Sequence, residues 1–374
     1  MALLVAGFLL TLEFPGTQQD EAPTSEELSP FHFLAASADV DFARPPTPWA
    51  FQYPADHGRH DEYRTEWWYV AGTVGGESRA PLGVQLLLMR MGLRAQPAEH
   101  PSAWAMSEIY AGIISVSDPD DEGLRTGKRL SRGAAGLAGT NVEPIEIWVE
   151  DWRLGEIDVD EDAVNLTMHV ATSEFELDLE LLNEQPLIDT SDIYGRNAEP
   201  SSPFQFYIQP RLSASGMLRS DGRATTLSGT FSMEHAWGEL PLPGGPIASD
   251  RFTLHLDDQR ELFCVRMHRA DGTGSATTTG LLVSRTDPPV VLSSGDIGLD
   301  PLEYWTSPRT GARYPIRWML RVPEHDVEME LIPYWEDQEG LEWMPFWAGP
   351  VRLQRAAGTK VGDGFMQLYG YEDS

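Results

Sequence analysis

In Glu174–Leu182 (EFELDLELL) apolar and acidic letters alternate without a break as far as Leu181. Side chains of a strand leave on alternate faces, so a period of two describes a strand with one dry and one wet face. Phe175, Leu177, Leu179 and Leu181 then face a core, and Glu174, Glu176, Asp178 and Glu180 face water. The pattern recurs in Glu146–Leu154 (EIWVEDWRL) and Val164–Val170 (VNLTMHV), while Glu66–Val74 (EWWYVAGTV) and Val84–Met91 are aromatic, β-branched or continuously apolar. Strand patterns return over 204–217, 225–237, 251–256, 261–267, 313–322, 327–332, 343–353 and 365–371. No long stretch carries a 3.6-residue apolar stripe. Many short strands punctuated by 34 glycines and 28 prolines predict an all-β protein of antiparallel barrels or sandwiches.

At 374 residues the chain is long enough for two domains. Asn183–Pro203 is polar, holds three prolines and shows no apolar periodicity, so it reads as the connection between them. This gives a leader and linker over 1–50, a first domain over 51–185 and a second over 204–374. A Trp-bearing strand followed by an acidic–apolar strand occurs in both halves (IEIWVEDWRL with FELDLELL, YPIRWMLRV with VEMELIPYWED) and reads as an internal duplication.

Charge excludes some partners. With 27 basic and 58 acidic residues the net charge is −31, which argues against nucleic acid and anionic lipid surfaces. The single cysteine, Cys264, rules out an internal disulfide and Cys-rich metal sites. Ala2–Leu12 (ALLVAGFLLTL) is too short to span a bilayer, which takes roughly 20 residues. It has the length of the apolar region of an export signal, although no basic residue precedes it and no A-x-A site follows closely. The reading is a periplasmic or secreted protein without an integral membrane span, or else a cytoplasmic one if the run is a short buried strand.

Two segments concentrate chemistry. DHGRHDEYRTEWWYVAGTV begins at Asp56 and brings His57, His60 and Glu66 to an aromatic cluster of Trp67, Trp68 and Tyr69. H-x-x-H leading into a strand is not a zinc-protease helix, so no metal and no cofactor are expected. Adjacent Trp67 and Trp68 take opposite faces, one in a core or cavity and one at an interface. In GTFSMEHAWGELPLPGG, His235 and Trp237 share a face and Glu234 takes the other. No G-x-S-x-G elbow, P-loop or Rossmann fingerprint is present. Aromatic residues of the last third, Trp318 among them, suit an apolar pocket as well as a core.

These segments resemble the carotenoid 1,2-hydratase (CrtC/AttH) family of tandem lipocalin-like proteins. DHGRHDEYRTEWWYVAGTV resembles the family's opening signature, and LSGTFSMEHAWGE its central motif. LHLDDQRELFCVRMHRADG, DQEGLEWMPFWAGPVRL and GDGFMQLYGY resemble its later strands. The resemblance runs from about Phe51 to Tyr371. It implies two lipocalin-like antiparallel β-barrel domains in tandem, with a hydrophobic small molecule bound in a barrel or between them. The activity implied is hydration or cyclisation of a polyene, terpenoid or lipid, a hydro-lyase or cyclase. The alternative is a carrier of lipid or pigment without catalysis. Carried over by motif, His235 and Trp237, with Glu234 beside them, are the catalytic candidates. Asp56, His57, Glu66, Trp67, Trp68, Tyr69, Asp250 and Trp318 are the substrate-binding candidates. Where the family's hydratases carry an aspartic acid, this chain has Leu262, Phe263 and Cys264, and the nearest acids are Asp250, Asp257, Asp258 and Glu261.

Overall fold

The structure is a computed structural model. It describes residues 42–46, 49–75, 80–94, 106–119, 123–142, 144–159, 164–189, 204–238, 247–270, 273–343, 345–356 and 358–371. The expected export signal, the linker that follows it and most of the 183–203 connection lie outside the described residues.

Among those residues the chain is all-β, with short 3-10 turns and no α-helix. None of its elements is a helix long and apolar enough to cross a membrane. The strands form two antiparallel sheets. The first holds β1 (Thr65–Gly75), β2 (Leu82–Gly92), β3 (Glu108–Asp118), β4 (Gly123–Arg132), β5 (Ala138–Val142), β6 (Ile145–Val149), β7 (Trp152–Val159), β8 (Val164–Ala171), β9 (Phe175–Asn183), β10 (Ile188–Asp189), β11 (Phe204–Ser220) and β12 (Arg223–Gly238). The second holds β13 (Ile247–Leu256), β14 (Glu261–Arg269), β15 (Thr277–Val283), β16 (Val290–Leu292), β17 (Gly298–Thr306), β18 (Arg313–Val322), β19 (Val327–Pro333), β20 (Glu339–Gly340), β21 (Phe346–Gln354) and β22 (Lys360–Tyr369).

The first sheet runs β4-β3-β2-β1-β12-β11-β9-β8-β7-β6-β5 and curls until β4 meets β6, a nearly closed barrel. The second runs β16-β15-β14-β13-β22-β21-β19-β18-β17, a half-barrel. The passage from one sheet to the other falls between Gly238 and Ile247. Thus β11 and β12, which the sequence reading grouped with the second half, are hydrogen-bonded within the first sheet, β12 on β1. Their partners decide their place, and nothing local to 204–238 announces them.

The alternating segment 174–182 matches β9, where Phe175, Leu177, Leu179 and Leu181 are buried. EIWVEDWRL, by contrast, is two strands. Val149 pairs with Trp152 across a two-residue turn, with Glu150 at φ 59°, and the buried positions pass from odd (Ile145, Ile147, Val149) to even (Trp152, Leu154) across it. A second face-to-face core fills the space between the two sheets. Trp67, Tyr69, Leu87 and Met89 of the first sheet meet Phe263, Val265, Phe346 and Tyr369 of the second. Inside the barrel, Trp68, Trp152, Phe175 and Phe231 pack with branched aliphatics. A Cβ on Gly72 would overlap the Thr230 carbonyl oxygen and lie 2.7 Å from Cγ of Phe231, so the bare backbone there lets β12 and its ring approach closely.

Candidate functional site

Strand β1 sets the geometry. Its register places Glu66 opposite Trp237 and Arg90, and Trp68 opposite His235 and Leu88. On the far side of β12, His235 faces Tyr207 of β11. Period two sends Glu66 and Trp68 into the barrel and Trp67 and Tyr69 towards the second sheet. Residues 49–64 then run to the start of β1 and cover this end of the barrel with their rings and carboxylate. A 3-10 turn at Ala55–His57 holds Asp56, whose Oδ2 accepts from the Gln52 amide at 2.6 Å and Trp49 Nε1 at 3.1 Å.

The centre is Glu66, which is fully buried. One carboxylate oxygen lies 2.9 Å from Nδ1 of His60 and 2.9 Å from Nε2 of His235. The His60 amide donates to both oxygens at 3.1 Å, and the Arg90 guanidinium lies 3.8 Å away. The other ring nitrogen of His60 is 3.2 Å from Asp56. Arg90 itself donates to Glu108 at 2.7 Å and to the carbonyls of His60, Asp61 and Tyr63.

The cluster sorts its protons. Burial by itself raises a carboxyl, but the hydrogen bonds from His235 and His60 outweigh it, and Glu66 is held well below the usual carboxylate range. Burial also works against charge on His60, yet its bonds to Asp56 and Glu66 push it up to about 9. On His235 the same burial wins over the single bond to Glu66, and its pKa is lowered. One carboxylate therefore carries an imidazolium on one side and a neutral imidazole on the other. Since the carboxylate only accepts, Nε2 of His235 bears the proton and Nδ1 bears the lone pair. That Nδ1 is buried and has no hydrogen-bond partner among the described residues, and the same holds for the indole nitrogens of Trp68 and Trp237.

Aromatic rings enclose the pair. Trp68 stacks on His235 at 4.7 Å, and Tyr207 meets it edge-on at 5.3 Å. Trp237 stacks on His60 at 3.7 Å and receives the edges of Trp49 and Phe51. His57 Nδ1 lies 3.1 Å from the Tyr207 hydroxyl. His60, Glu66 and His235 place ligand atoms within 4.8 Å of one another, the outline of a two-histidine, one-carboxylate metal set. The fit is poor: these atoms already bond to each other, one imidazole holds its proton, and Arg90 adds a positive charge beside the carboxylate.

Of the residues singled out from the sequence, Asp56, His57, Glu66, Trp68, His235 and Trp237 come together here. Glu234, Trp67 and Tyr69 do not. Alternation turns them to the other face, where Arg251 of β13 donates to Glu234 at 2.7 Å and lies over the Tyr69 ring at 4.6 Å. Asp250 is buried in the half-barrel, accepting from Arg266 at 2.7 Å and from the Tyr371 hydroxyl. Trp318 packs there against Phe252, far from Glu66 in the strand order. Leu262 and Cys264 belong to the same core. Sequence reasoning weighed His60 only as a metal ligand with His57, and passed over Tyr207, Arg90 and Trp49. Only the β1–β12–β11 register, which no local pattern carries, would have found Tyr207.

No curated protein matches the chain. Among solved structures, a putative AttH from Nitrosomonas europaea superposes with a TM-score of 0.75 at 24% identity, covering 88% of this chain and 99% of that one. Kievitone hydratase from Nectria haematococca superposes with a TM-score of 0.60 at 12% identity, covering 90% of this chain and 98% of that one. CghA follows at 0.51 and 12%, with 90% and 96% covered. Identities this low speak for a shared fold. The AttH-like profile matches residues 44–371, from the approach to β1 through the close of β22, and the chain belongs to the AttH-like family.

Proposed function

We propose that the chain is a hydro-lyase that adds water to, or removes it from, a carbon–carbon double bond of a hydrophobic polyene or terpenoid. The observation that carries this reading is the buried Glu66–His235 dyad with its unpartnered Nδ1. A carboxylate behind an imidazole fixes the tautomer and stabilises the imidazolium formed when the other nitrogen takes a proton. In hydration His235 takes a proton from the attacking water, whose oxygen bonds to one carbon. The other carbon takes a proton from the Tyr207 phenol, which burial keeps in its neutral form. The proton on His235 then restores the phenol, so one water is consumed and the enzyme is unchanged. His60, with both ring nitrogens held by carboxylates, keeps Glu66 ionised and is a positioning residue. The faces of Trp68 and Trp237 suit an electron-poor, developing cationic carbon.

The kinship with a fold that also serves kievitone hydratase supports the reaction class. A carrier makes no use of a carboxylate-backed imidazole, and the buried Glu66–His235 pair is what favours the enzyme over it. The test is incubation with lycopene and with a prenylated phenol, followed by mass spectrometry for a gain of one water. Wild type forms the hydrate, and His235→Ala and Glu66→Gln do not. Equal turnover by folded His235→Ala defeats the assignment.

A further inference from the structure

At the opposite end of the intersheet face lies a cleft of about 370 Å³. Thr73 of β1 lines it, seven residues along from Glu66, roughly 23 Å away at about 3.3 Å per residue and on the other face of the strand. Across from Thr73 sits His255 of β13. Its Nδ1 bonds Glu261, which is fully buried and is also gripped by the Arg211 guanidinium. Arg211 in turn donates to the Leu256 carbonyl at 3.2 Å. The carboxylate can only accept, so Nδ1 of His255 carries a proton, and in the neutral ring Nε2 bears the lone pair. His255 is 5% exposed, and its Nε2 is buried without a partner among the described residues. A buried acceptor left open at the wall of a cleft calls for a donor from outside the chain.

We propose that this cleft binds a small, neutral, hydroxylated molecule, a sugar or polyol, one of whose hydroxyls donates to His255 Nε2. The lining offers the hydroxyls of Thr73, Ser228 and Thr230 and the carboxylates of Asp257 and Asp363. Arg211 is already matched by Glu261, which leaves an anion little to bind. Asp363 is likewise engaged, by the Tyr334 hydroxyl at 2.7 Å and Lys360 at 2.6 Å, which moderates its pull on a cation. Few apolar side chains line the space, which disfavours a lipid. This site stands apart from the Glu66 cluster and does not depend on the reaction proposed for it.

Saturation-transfer NMR on the full chain with glycerol, sorbitol and D-glucose tests the proposal, with inorganic phosphate and spermidine as competing chemistries. At least one polyol receives saturation and shifts the His255 imidazole nitrogen signal of the wild type. Thr230→Val and His255→Gln each weaken that polyol at least tenfold while the thermal unfolding profile stays two-state. The proposal fails if none of the three polyols binds, if phosphate or spermidine binds in preference, or if both variants bind as wild type does. The wild-type imidazole shift decides the matter even if a variant does not fold.

Discussion

Replacing His60 with glutamine removes the one cation that Asp56 and Glu66 hold in common. The ring is pushed up to about 9 from an ordinary 6.5, and it is 7% exposed, so solvent screening subtracts little. Burial opposes this rise, and the bonds to the two carboxylates produce it. At about 1.4 kcal/mol per tenfold change in proton affinity, the charged ring stabilises the fold by about 3 kcal/mol near pH 6.5. The sign follows from a pKa raised on folding. The contribution is fully present below 6.5 and disappears as pH climbs through about 9. His235, whose pKa is lowered, stays neutral in the fold across that interval, and its ordinary titration near 6.5 in the unfolded chain is common to both proteins. Urea unfolding of wild type and His60→Gln at about pH 6.5, 8 and 10 reads the effect directly. The stability gap between the two proteins should shrink by about 3 kcal/mol from the lowest pH to the highest. A gap that stays constant would refute the claim that His60 is an imidazolium clamped by Asp56 and Glu66.

Trp237→Ala deletes a fully buried indole stacked on His60 and edged by Trp49 and Phe51, and should cost about 3–5 kcal/mol. Thermal unfolding measures this, and an unshifted midpoint would show that those rings do not pack on it. Arg251→Ala strands the Glu234 carboxylate between the sheets and should cost about 3–5 kcal/mol. Adding Glu234→Gln to it should recover a large part, so a double-mutant cycle that returns plain additivity would mean the two groups are not coupled.

The strands of this protein were legible because alternation is a local property. Phe175 to Leu181 in β9 needed no partner to declare their face, and Trp67 and Trp68 had to part company whatever they packed on. Two features escaped for the same reason in reverse. The Glu150–Asp151 turn shifts the alternation by one position, from buried Ile147 and Val149 to buried Trp152 and Leu154, within a run too short to display the slip, so one expected strand is a hairpin. The assignment of β11 and β12 to the first sheet depends on the pairing of β12 with β1, more than 150 positions upstream, and of β11 with β9 and β12, which leaves no trace in their own letters. At the site, Glu66, His235 and Trp237 were named from their motifs. Glu234 was named with them through adjacency along the chain, which on a strand means separation. Tyr207 and Arg90 reach the cluster through cross-strand register and lay beyond any motif.

The partnership of β1 with β12 also has a bearing on biosynthesis. Until residue 238 has left the ribosome, β1 has no strand for its outer edge, and the barrel stays an open ribbon. At about 5–20 residues per second, the interval between the last residue of β1 and the last of β12 is on the order of 10–30 s. For that time the nascent chain shows a row of unsatisfied amides and carbonyls beside Trp67, Trp68 and Tyr69, an invitation to adhesion that chaperones would be needed to decline.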